Sequence, residues 1–108
     1  FKAGAVWVPT NVRLTPAEVA YLGASSRAVV MIRDAGSGAH AAAVRAASPA
    51  LRHVIAMEGP EKGELAYETL LVANAPTLPD GEADMAYDDP CWFFHTSGTT
   101  GRPKAAML

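Results

Sequence analysis

Short, continuously apolar runs alternate along this chain with stretches in which apolar residues recur at helical spacing. Ala5-Val6-Trp7-Val8 is β-prone and closed by Pro9, which cannot donate to a central ladder, so a strand is predicted there. Thr15-Pro16-Ala17-Glu18 sets a capping hydroxyl before a proline at the first helical position, with a glutamate three residues after the cap. A helix to Leu22 follows, with Gly23 as its stop. Ala28-Val29-Val30-Met31-Ile32 is apolar throughout, the pattern of a strand covered on both faces. The Ala-rich segment from Ala39 to Ala47, ended by Ser48-Pro49, reads as a second helix. Val54-Ile55-Ala56-Met57 is a further strand, and Glu64 to Ala73 places Ala66, Leu70 and Ala73 on one helical face. The order β-α-β-α-β-α predicts right-handed crossovers and a mostly parallel sheet between helices.

Residues 74–90 break this alternation with three prolines, one glycine and five acids (Asp80, Glu82, Asp84, Asp88, Asp89), without a lysine or arginine. An acidic, Pro-rich surface connection is expected, long enough to run over an edge or to contact parts outside this chain. Cys91-Trp92-Phe93-Phe94-His95 then resumes as a strand. The 108 residues amount to a single α/β unit or a piece of a larger one. Half of them are apolar and 19% charged, which excludes disorder for most of the chain. A formal charge of −2 excludes a nucleic-acid backbone or an anionic membrane as the main partner, so any anion must be held locally. One cysteine, Cys91, rules out an internal disulfide and fits a reducing compartment, the cytosol by default. No apolar run approaches the length of a membrane span. Phe1 opens the chain without an initiator Met, and Lys104-Ala105-Ala106-Met107-Leu108 closes it on an apolar strand-like run, so a fragment is expected at both ends.

The densest chemical signal is Thr96-Ser97-Gly98-Thr99-Thr100-Gly101-Arg102-Pro103-Lys104. A phosphate cradle needs free backbone N–H groups, glycines that let the backbone approach, hydroxyl donors and a cation, and this stretch supplies all of them. The same residue types also build a ligand-free hairpin turn, and that reading stands beside the first. The segment is no Walker A loop, because Gly98 and Gly101 are three apart, Pro103 precedes Lys104 and a strand-like run follows.

Residue for residue, the stretch resembles the phosphate loop of the adenylate-forming superfamily, which includes acyl-CoA synthetases and peptide-synthetase adenylation domains. Lys2 to Asn11 and Arg13 to Glu18 are also similar to the segment such ligases carry upstream, so the likeness covers nearly the whole chain. Two residues depart from the common run: His95 stands where Tyr or Phe is usual, and Ala105 where Gly is usual. The resemblance implies a flavodoxin-like part of a large N-terminal AMP-binding domain, ending in a phosphate loop at 96–104 between two strands. It further implies ATP, Mg²⁺ and CoA as the parent's cofactors, and formation of an acyl-adenylate and then an acyl-CoA from a fatty acid or other carboxylic acid. Thr96, Ser97, Gly98, Thr99, Thr100, Gly101 and Lys104 would then bind nucleotide, with Lys104 also catalytic and no metal ligand on this chain. The rest of the N-terminal domain and the C-terminal domain would lie elsewhere. The fragment alone would be inactive, would self-associate through exposed apolar surface, and would carry a mobile loop at 97–103. A peptide-synthetase adenylation fragment and a non-catalytic nucleotide-binding or interaction module remain alternatives.

Other candidates carry less. Gly36-Ser37-Gly38-Ala39-His40-Ala41 imitates a dinucleotide fingerprint, with Glu58 twenty residues after Gly38, but Arg33-Asp34-Ala35 separate it from the strand end where the pyrophosphate would have to sit. His95 and Ser97 with Asp88 or Asp89 suggest a hydrolase triad, yet no G-x-S-x-G elbow surrounds Ser97. His40, His53 and His95 lack metal-ligand spacing. Trp7, Trp92, Phe93 and Phe94 are expected as core aromatics and Cys91 as a small buried hydrophobe.

Overall fold

A computed structural model describes residues 3–74, 85–96 and 103–108. The chain divides into two compact units, one of residues 12–75 and one formed by 1–11 with 76–108.

In the larger unit, helix α1 (Pro16–Ser25) begins as the capping residues dictate. The Glu18 amide donates to Thr15 Oγ1 at 3.4 Å, and the Thr15 amide donates to Glu18 Oε2 at 2.7 Å. That backbone hydrogen bond holds the Glu18 carboxyl below its ordinary range. The helix does not stop at Gly23. It ends with Arg27 in the left-handed region at φ 52°, where the Ala28 amide donates to Gly23 O and the Arg27 amide to Ala24 O, both at 3.1 Å. This is a Schellman closure, built on an arginine where glycine is the usual residue.

Gly23 has another role. A Cβ placed there would lie 2.6 Å from Val44 Cγ1 of helix α2 (Gly38–Ala47). The two helices bury Val19, Ala20 and Leu22 from one side and Ala41 and Val44 from the other. Gly23 thus serves close helix packing, and its propensity penalty is the cost of that approach.

Strands β1 (Val30–Arg33), β2 (His53–Ala56) and β3 (Leu65–Ala66) form a parallel sheet in that order. The expected α/β architecture is present, with three local corrections. First, Val30 and Ile32 are exposed, so β1 is buried on one side only among the described residues. Continuous apolarity marks a strand suited to cover on both faces, and burial requires that the cover be there. Second, the helix expected from Glu64 starts later, as α3 (Tyr67–Ala73), because Leu65 and Ala66 pair with Ile55 and Ala56 as β3. Third, the run 5–8 makes one isolated parallel bridge, Trp7 to Trp92, in the smaller unit.

The connection from β2 to β3 is organised by Arg33, 3% exposed at the end of β1. Its Nε donates to both Glu64 carboxylate oxygens at 3.0 and 3.1 Å, its Nη1 to Asp34 O at 2.8 Å and its Nη2 to Gly59 O at 3.1 Å. The same carboxylate accepts from the Glu61 amide at 2.9 Å. These hydrogen bonds, that from Arg33 first, hold Glu64 below the usual carboxylate range against the opposing effect of burial.

Candidate functional site

The smaller unit carries the candidate site on an antiparallel hairpin of β4 (Phe93–Thr96) and β5 (Lys104–Met107). β-Branched and aromatic side chains favour the first strand, and Pro103 lies just outside the second, where its missing N–H removes no ladder bond. The register pairs Phe93 with Met107, Phe94 with Ala106, His95 with Ala105 and Thr96 with Lys104. Beyond these rungs Trp92 and Leu108 exchange both backbone hydrogen bonds, at 3.1 and 3.0 Å. On the other side of the same strand the Trp7 amide donates to Cys91 O, and the Phe93 amide to Trp7 O.

Alternation along a strand then sorts the side chains. Trp92, Phe94 and Thr96 share one face with Leu108, Ala106 and Lys104; Phe93 and His95 share the other with Met107 and Ala105. On the first face the rings of Trp7 and Trp92 lie 5.1 Å apart and those of Trp92 and Phe94 6.2 Å apart. Trp7 and Phe94 are each about half exposed, so these aromatics line a surface instead of filling a core as expected. Cys91 is half-buried rather than buried, with its thiol 3.4 Å from Leu108 O.

Of the sequence-predicted site residues, Thr96 and Lys104 form the last rung of the hairpin, both exposed, with Thr96 Oγ1 3.4 Å from Lys104 O. Ser97, Gly98, Thr99, Thr100 and Gly101 lie outside the described residues, as does most of the segment 97–103 for which mobility is expected. The ends of the hydroxyl- and glycine-rich stretch are therefore held opposite each other, with an ammonium at one of them.

The competing sites do not assemble. His95 Nδ1 is buried without a partner, while the Asp89 carboxylate accepts from the Ala86 amide at 2.9 Å in its own turn, so the Asp–His hydrogen bond of a triad is not made. Burial holds the His95 imidazole below the ordinary histidine pKa. At the imitation fingerprint a 3₁₀ turn (Ala35–Ser37) separates β1 from α2, and the close approach that Gly38 permits is taken by the Glu61 carboxylate. His40 Nε2 lies 2.9 Å from Leu14 O, a packing role, and no group of three His, Cys, Asp or Glu able to hold a metal occurs among the described residues. None of the described helices is long and apolar enough to cross a membrane. The Arg33–Glu64 pair escaped the sequence reading; its one signal is an arginine directly after an apolar strand.

Comparison with known proteins identifies the family. The family model for AMP-binding enzymes matches residues 1–108. The chain is 36% identical over 110 residues to the long-chain-fatty-acid–CoA ligase FadD15 of Mycobacterium tuberculosis, covering 97% of itself and 18% of that protein. It is 39% identical over 117 residues to a feruloyl-CoA synthase of Amycolatopsis, again spanning 18% of the relative's length. The anthranilate CoA ligase AuaEII, solved in complex with anthranoyl-AMP, superposes with a TM-score of 0.88 at 32% identity, over 98% of this chain and 20% of that one. A family match along the full length and relatives of 36–39% identity across nearly the whole chain lead to one conclusion: the chain belongs to the AMP-binding enzyme family.

Proposed function

We propose that this chain supplies the phosphate-binding segment of an ATP-dependent carboxylate–CoA ligase. In the whole protein a fatty or aryl carboxylate would attack the α-phosphorus of ATP, giving an acyl-adenylate and pyrophosphate, and the CoA thiol would then take the acyl group and release AMP. The register that sets Thr96 opposite Lys104 carries this reading, because it brings a hydroxyl and an ammonium to the mouth of the Gly- and Thr-rich connection. Thr96, Ser97, Thr99 and Thr100 donate to the β- and γ-phosphates, Gly98 and Gly101 let the backbone come close, and Lys104 offsets charge that grows on the departing pyrophosphate. Mg²⁺ would accompany the nucleotide and offset charge on its phosphates. The named relatives, ligases of long-chain fatty acids, ferulate and anthranilate, support CoA ligation over peptide-synthetase chemistry.

Lys104→Ala in the full-length protein is the test. Single-turnover adenylation should slow by about 10²- to 10³-fold, the range for loss of one donor to developing charge, while ATP binding weakens far less. Unchanged single-turnover rates would assign Lys104 to structure. The 108-residue chain by itself should show no ATP–pyrophosphate exchange, since one phosphate loop cannot position both reactants.

A further inference from the structure

His95 and Ala105 are ten apart in the chain and directly opposite each other in the hairpin. Antiparallel rungs alternate between hydrogen-bonded and non-hydrogen-bonded pairs. Trp92 and Leu108 exchange both bonds, so Phe94–Ala106 and Thr96–Lys104 are hydrogen-bonded rungs and His95–Ala105 is the non-hydrogen-bonded one between them. In such a rung the side chains stand closest. His95 is half-buried, its Nδ1 is buried without a partner, and Ala105 supplies the methyl across from it. On its Nδ1 side the imidazole therefore meets this rung by packing, with no hydrogen bond there.

We propose that His95 and Ala105 are a coupled positioning pair, which together fix the base of the hairpin so that Thr96 and Lys104 meet at the spacing the phosphates require. The inference rests on the ligase reading above. An alanine at 105 keeps the backbone in the extended region, and a ring of imidazole size leaves room for its Cβ. Removing that methyl loosens the rung, and a larger apolar ring across from the resulting glycine covers the gap, as aromatic residues do for glycines in sheets. Enlarging the ring while the methyl stays crowds the same space.

The test is a double-mutant cycle in the full-length protein with Ala105→Gly, His95→Phe and both together, read as kcat and the KM values for ATP and the carboxylate in ATP–pyrophosphate exchange. Cross-strand pairs of this kind correspond to as much as about a fivefold effect. Each single variant should lower kcat by about three- to fivefold, with the KM of the carboxylate unchanged, and the double variant should return to within about twofold of the parent. Single effects that simply multiply, or singles without effect on kcat, would overturn the coupling. Amide exchange at β4 and β5 provides the second readout: coupling visible there but absent from kcat would make the pair structural only and equally overturn the positioning role. An unmodified protein without exchange on any carboxylate would instead defeat the ligase reading, and this proposal with it.

Discussion

Gly23→Ala tests how tightly the two helices of the larger unit are set. In a solvent-facing helix the change would stabilise by about 0.8–1 kcal/mol, the difference in helix propensity. Here the new Cβ would come within 2.6 Å of Val44 Cγ1. Val44 is 2% exposed and β-branched on a helix, so its side chain has essentially one rotamer and no space to yield. Overpacking of this kind costs about 1–3 kcal/mol. Net destabilisation of about 1 kcal/mol should result, a fall in melting temperature of about 4–8 °C for a unit of this size. The decisive measurement is the sign in a second background. With Val44→Ala in place the obstacle is gone, and the same Gly23→Ala change should stabilise by nearly its full propensity gain of about 1 kcal/mol. Urea unfolding followed by helical circular dichroism, with amide exchange over 16–25, reads both. A stabilising Gly23→Ala beside native Val44 would refute the close approach of α1 and α2.

The remaining predictions concern other sites. Glu64→Ala removes the buried carboxylate of Arg33, leaves that guanidinium only the exposed Glu61 carboxylate at 3.8 Å, and should cost about 3 kcal/mol near neutral pH, measured by urea unfolding. The folded pKa of Glu64 lies below its unfolded value, so its stabilisation is complete above about pH 4.3 and is lost as pH falls through the lowered folded value; an acid titration of the variant should lack that component. Arg27→Gly, which relieves a left-handed conformation at the Schellman closure, should raise the unfolding free energy in urea by as much as about 1 kcal/mol. Ile32, 59% exposed on the open side of the sheet, should promote concentration-dependent association of the isolated chain in sedimentation velocity, and Ile32→Lys should reduce it.

Local chemistry was legible in the residues themselves. Thr15 and Glu18 satisfy each other's amides within four residues, so the start of α1 could be read directly, and the apolar runs at 28–32 and 54–57 announced the paired strands found at Val30–Arg33 and His53–Ala56. The order of hydroxyls, glycines and a lysine at 96–104 was equally plain as the resemblance that pointed to the family. Tertiary structure decided what depends on partners distant in sequence. Gly23 looked like a helix stop until Val44 stood against it, and Glu64 looked like a helix start until Arg33 held it and the neighbouring residues paired with β2. His95 and Ala105 read as two unrelated departures, and only the register of the hairpin made them one rung beneath Thr96 and Lys104. Propensity and capping act within a turn or two of helix, whereas packing, ion pairing and strand register are set by residues that the chain brings together only when it folds.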